Sequence, residues 1–180
     1  QIETGTSRVN IPELKPEDNA PQMITGGYLL EIDQRVTETG DPYFRAHQFP
    51  VGIKSPDEPS EEQLSYISGY VNEAEDVLYS SNFTNPETGF RKYFDDESMI
   101  QWFIVSEIFK NVDSRDFSSI FFFKDRGGKL VMGPVWDFDL SAGNATYCDE
   151  CMDPEGWYVL HSYWFERMWQ DRAFREKVKQ

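Results

Sequence analysis

Four aspartates bracket one apolar stretch of this chain. Asp113 and Asp116 precede Ile120-Phe121-Phe122-Phe123, while Asp137 and Asp139 follow Leu130-Val131-Met132 in the run Gly133-Pro134-Val135-Trp136-Asp137-Phe138-Asp139-Leu140. Carboxylates gathered in one place repel one another unless a cation neutralises them. Hard cations such as Mg²⁺ take oxygen ligands, often one or two carboxylates completed by substrate phosphates. The aromatic beside each of Asp137 and Asp139 suggests partial burial, and a buried carboxylate needs a partner or a metal. These residue types therefore suit a metal–phosphate site. The alternative is a hairpin whose terminal acids are simply solvated.

The elements that must position these acids follow from local pattern. Aromatic and β-branched runs on either side of Lys124-Asp125-Arg126-Gly127-Gly128-Lys129 predict a β-hairpin over residues 118–136. An antiparallel hairpin returns its outer ends to one another, which brings the flanking acids together. Upstream, Met99, Ile100, Trp102, Phe103, Ile104, Val105, Ile108 and Phe109 cover most of a helix over residues 99–110. A helix apolar on most sides is a central, buried one, and this one delivers Asn111 and Asp113 to the hairpin. A strand is predicted after Gly26-Gly27, then a turn over residues 36–42, then short strands around residues 43–49 and 51–54. Pro50 suggests a break or an edge there. Ser60-Glu61-Glu62-Gln63 is a capping box that opens a helix to about Ser80. A last helix is predicted over residues 164–178.

Composition narrows the function. With 180 residues, 39% hydrophobic and 16% aromatic, the chain is long and apolar enough to fold as one domain. Its 32 acids against 17 bases, net −15, argue against a nucleic-acid binder, which needs a basic patch. No apolar run reaches the length of a membrane span. Cys148 and Cys151 form one CxxC; structural zinc takes four ligands, so a disulfide or two free thiols is favoured. His47 and His161 are the only histidines, and no hydrolase triad is supported.

The chain resembles the spore coat protein H (CotH) kinase family, atypical protein kinases that are secreted or surface-exposed. The likeness rests on Asn111-x-Asp113, the aromatic strand, residues 125–129, the run from Gly133 to Leu140 and Gly143-Asn144. Thr25-Gly26-Gly27-Tyr28-Leu29-Leu30-Glu31 and residues 93–107 add to it, in the style of bacterial gut-associated members. The resemblance implies an α+β fold: a helical, atypical-kinase C-lobe-like domain with a small antiparallel sheet carrying the acidic site. It implies ATP and Mg²⁺ (or Mn²⁺) as cofactors and a protein Ser/Thr substrate or surface partner. It assigns Asp113 as the group orienting the acceptor hydroxyl, Asp137 and Asp139 as metal ligands, and Asn111, Ser119 and Asn144 as cofactor-binding. A monomer, and a secreted or surface location, are expected.

Two departures stand out. Ser119 occupies the place where relatives often carry Asn as a second metal ligand. No G-x-G-x-x-G loop is present, and the family's nucleotide-clamping lobe precedes the matched part. Residues 1–25 are therefore expected to be an irregular lead-in and residues 26–180 the C-terminal portion of a kinase-like domain, inactive in isolation. Lys54, at a strand end, is either a surface lysine or a substitute phosphate-binding group. A non-catalytic binding module is the alternative reading, and a carbohydrate-active enzyme using an acid pair is a third.

Overall fold

The computed structural model describes residues 14–180. Residues 1–13, half of the expected lead-in, lie outside the described residues. Residues 14–25 carry turns but no strand or α-helix. They are nevertheless tied down: Leu14 is buried, and the Lys15 carbonyl accepts a hydrogen bond from Gln63 Nε2 at 2.6 Å.

The α+β class is the one found, but the hairpin belongs to a larger sheet. Five strands lie in the order β2-β3-β1-β4-β5, and every pairing is antiparallel. They are β1 (Tyr28–Ile32), β2 (Tyr43–Arg45), β3 (Pro50–Ser55), β4 (Ile120–Lys124) and β5 (Leu130–Met132). Strand β1 is central and wholly buried, with β3 on one side and β4 on the other. Pro50 opens β3, a position where its missing amide costs no ladder bond. That explains why a proline enters an interior strand rather than an edge. The segment over residues 36–42 contains one helical turn, α1 (Val36–Thr39), closed by Gly40 at φ 79°.

Helices cover one face of the sheet. Helix α2 (Glu61–Tyr79) begins with the predicted capping box, both reciprocal bonds present. Helix α3 (Asp96–Ile108) is capped by Asp95, whose side chain accepts from Ser98 N. Its buried residues are Met99, Ile100, Trp102, Phe103, Ser106 and Glu107. Its last turn departs from the expectation of all-round burial: Ile108 is 71% and Phe109 47% exposed. After the short α4 (Asp149–Met152), the predicted last helix is two, α5 (Tyr163–Met168) and α6 (Arg172–Val178). Asp171 makes the break, because its carboxylate caps α6 through Ala173 N and meets Arg91 Nη1 at 2.6 Å.

The core lies between helices and sheet, with Trp164 at its centre. Its indole meets Phe49, Phe94 and Phe122 edge-on at centroid distances of 5.2, 5.1 and 5.4 Å, a favoured aromatic geometry. Its Nε1 donates to Glu75 Oε1 at 2.8 Å, joining α5 to α2. The opposite face of the sheet carries only a small cluster of Leu29, Phe121 and Phe123. Glu31 and Gly52 pair on that same face.

Lys124 ends β4 on the helix side and is 1% exposed. Its Nζ donates to the carbonyls of Thr25 at 2.6 Å and Gly128 at 2.8 Å and lies 4.3 Å from the Tyr70 ring centroid. Burial pulls its pKa down to about 8, whereas in the unfolded chain it titrates near ~10.4. Between those values the unfolded state holds more protons, so this group makes stability rise with pH. The stability of the wild type relative to Lys124→Met is expected to grow by about 3 kcal/mol from pH 7 to 10.5. Urea unfolding of both proteins across that range checks it, and parallel stability curves would refute the buried, charge-disfavouring site.

Candidate functional site

The chain leaving α3 and the chain leaving β5 run side by side. Val112 N donates to the Leu140 carbonyl at 3.0 Å and Ala142 N to the Phe109 carbonyl at 2.6 Å. Asn111 Nδ2 donates to the Asp137 carbonyl at 3.2 Å, and Asn144 Nδ2 to the Asp139 carbonyl at 2.6 Å. The two asparagines thus grip the main chain of the two aspartates. Both carboxylates are exposed, which corrects the expectation that flanking aromatics bury them. Past β5 the run lies along the surface. Trp136 is itself 37% exposed, and Phe138 packs edge-on against Phe109 at 5.8 Å.

Ser119 at φ 59° and Asp137 at φ 58° are among the non-glycine residues that hold left-handed backbone here. Such conformations cost ~1–2 kcal/mol per residue and persist where surrounding bonds impose them. The bonds are present. Ser119 N donates to Glu31 Oε1 at 3.0 Å, and Ser119 Oγ donates to Asp137 Oδ2 at 3.2 Å.

The hairpin brings three of the four bracketing aspartates into one field. The Asp113 carboxyl is lifted above its ordinary range, first by burial and then by Asp137, with Asp139 and Asp33 adding and Arg35 opposing. Asp116 is the exception. Its Oδ2 accepts from Tyr163 N at 3.0 Å, so it faces α5, and burial pushes its pKa up to about 7. Among the described residues no three His, Cys, Asp or Glu side chains form a metal-ligand cluster. Oxygen donors of the kind a hard cation takes are present in this region. They are the exposed carboxylates of Asp137 and Asp139, the Ser119 hydroxyl, and Asn111 Oδ1, which is buried and has no protein hydrogen-bond partner.

On the open face of the sheet, Lys54 of β3 supplies a cation. Its Nζ meets Glu31 Oε2 at 3.0 Å and Asp41 Oδ2 at 2.5 Å. Burial opposes its charge, but the bonds from Asp41 and Glu31 outweigh that and raise its pKa. These residues line a cleft of about 330 Å³ with Phe121 and Trp136. Glu31 is the joint of the array: one oxygen takes Lys54, and the other takes the amide of Ser119, the residue bonded to Asp137. Sequence reasoning missed Glu31 and Asp41 as site residues. A signal for Glu31 existed, since it is the one charge in the strand Tyr-Leu-Leu-Glu-Ile. Asp41 gave none. Arg35 was missed too; its Nη2 donates to Ser118 Oγ at 3.2 Å beside this array.

Cys148 and Cys151 form a disulfide, one of the two states, disulfide or free thiols, that their spacing left open. Among the described residues no helix is long and apolar enough to cross a membrane. No curated protein and no solved structure matches the chain. A family model described as CotH kinase protein matches residues 11–180, nearly the whole sequence and every element of the site, and the chain belongs to that family.

Proposed function

We propose that this chain carries an ATP- and divalent-metal-dependent phosphoryl-transfer site of kinase type, acting on protein Ser/Thr hydroxyls. One observation carries the reading. The cation and the acids stand in a single hydrogen-bonded array, Lys54–Glu31–Ser119–Asp137. Phosphoryl transfer is mainly positioning and charge neutralisation, with donors on one side of the phosphates and metal-holding acids on the other. In this assignment Lys54 binds phosphate oxygens and Asp113 orients the acceptor hydroxyl. Asp137 and Asp139, their main chain gripped by Asn111 and Asn144, hold Mg²⁺ or Mn²⁺, which would neutralise charge on the phosphates. Ser119 fixes the orientation of the Asp137 carboxylate.

With Lys54 in this role, both sides of the transferred group lie within the chain. An inert fragment, the outcome expected when Lys54 is only a surface lysine, would count against the assignment. The test is calorimetric titration of ATP with and without Mg²⁺, paired with radiolabel transfer to Ser/Thr-rich acceptors. Metal-dependent binding and labelling that Asp113→Ala abolishes are the expected results. A second reading, a surface-binding module that retains the fold without the chemistry, is favoured by Ser119 in place of a ligating Asn. It predicts neither binding nor labelling.

A further inference from the structure

The two carboxylates that hold Lys54 are not equivalent. Glu31 sits on the central strand, with a side chain 9% exposed, and its second oxygen is engaged by Ser119 N. Asp41 comes from the short connection between α1 and β2, with a side chain 36% exposed. Its neighbours differ as well. Gly40 before it is exposed, left-handed at φ 79° and has nothing within 4 Å of where a Cβ would stand. Only after Asp41 does the chain fasten to the sheet, where the Pro42 carbonyl accepts from Ile53 N at 2.8 Å. Glu31 therefore belongs to the frame, whereas Asp41, whose amide donates to the nearby Thr39 Oγ1 at 3.3 Å, is the more exposed ligand of Lys54 and stands in the cleft itself.

We infer that Asp41 is a placeholder anion: it occupies the side of Lys54 that a phosphoryl or pyrophosphoryl group takes, and that group enters by displacing it. This inference rests on the assignment of Lys54 to phosphates made above. The charges support it. Glu31, Lys54 and Asp41 together sum to one negative charge, which repels a phosphate. With Asp41 swung away, Lys54 and Glu31 form a neutral pair with one face of the ammonium open to the ligand. Asp41 also gives an unliganded Lys54 a second hydrogen-bond partner. The device sets anion affinity and makes it depend on ligand charge: a weakly charged anion does not outcompete a carboxylate already in place.

The probe is inorganic pyrophosphate, titrated calorimetrically into the full chain with Mg²⁺ present. Asp41→Asn keeps the shape and removes the competing charge, so it is expected to bind pyrophosphate about 10-fold more tightly than the wild type. Lys54→Met should abolish binding in both backgrounds. A second readout follows Lys54 directly. Its acylation by an amine-reactive ester, measured by mass spectrometry, should be faster in Asp41→Asn and should be suppressed by pyrophosphate in both proteins. Equal or weaker pyrophosphate affinity in Asp41→Asn, no binding by either protein, or binding that survives Lys54→Met would each overturn the inference. Tightening in Asp41→Asn without any acceptor labelling would uphold displacement and defeat the kinase assignment; labelling with unchanged pyrophosphate affinity would do the reverse.

Discussion

Asp137→Ala is expected to abolish the response of this protein to divalent metal and to lower phosphoryl transfer by on the order of 10³-fold. The wild type should melt at a higher temperature in Mg²⁺ or Mn²⁺, because a ligand that binds only the native state stabilises it by mass action. The variant should melt at the same temperature with and without the ion. Its fold should survive, since the Asp137 carboxylate is exposed and the main-chain bond from Asn111 Nδ2 does not use the side chain. One local cost is expected. Alanine at φ 58° is less comfortable than aspartate, worth ~1 kcal/mol. Asp137→Asn controls for it, because Asn tolerates the left-handed region and still accepts from Ser119 Oγ while lacking the charge. Both variants should lose the metal shift together. A shift that persists in Asp137→Asn would remove Asp137 from the metal-holding role.

Much of this site could be read from sequence because its pieces are local. The hairpin follows from aromatic runs around Gly127-Gly128, and Asn111 and Asp113 follow from the end of α3. Other features could not be read this way. Asp116 has the same residue type and nearly the same position as Asp113, yet it turns toward Tyr163; nothing in its own neighbourhood announces that contact with α5. The Glu31–Lys54 pair depends on β1 and β3 being neighbours, a register that no local pattern states. The exposure of Asp137 and Asp139 is not legible from the flanking aromatics, because Phe138 packs on Phe109 and Trp136 is itself exposed. The break at Asp171 was missed because the apolar spacing continues across it, and only the capping tendency of Asp opposed a single helix.

The second large effect concerns the core. Glu75 has no exposed surface, and its carboxylate gathers three donors: Trp164 Nε1 at 2.8 Å, His47 N at 2.8 Å and Gln48 N at 3.3 Å. Burial pushes its pKa up, and the bonds from Trp164, Gln48 and His47 pull it back. Glu75→Ala would strand the buried Trp164 N–H and the part-buried amides of His47 and Gln48, and open space beneath the Trp164 ring. The expected loss is about 3–5 kcal/mol, a fall in Tm of roughly 10–15 °C for a chain of this size. Glu75→Gln keeps one acceptor but turns an amide N–H₂ toward other donors, so it should fall between the two. Thermal unfolding followed by circular dichroism measures both. A drop of only two or three degrees in Glu75→Ala would show that α2, α5 and the β2–β3 turn are held by packing alone.

The position of β1 has a consequence for synthesis on the ribosome. Its partner β3 follows it within a few tens of residues, so one edge can pair soon after both strands leave the ribosome. The other edge pairs Tyr28 with Lys124, which must await roughly a hundred further residues. At about 5–20 residues per second that wait is roughly 5–20 s. During it the nascent chain exposes an apolar strand edge of Tyr28, Leu29, Leu30 and Ile32, open to pairing with any extended segment nearby. Helix α2 is made in that interval and can shield the face of β1 but not its edge. The yield of correctly folded protein should therefore depend on elongation speed and on holding chaperones more than the stability of the finished domain would suggest.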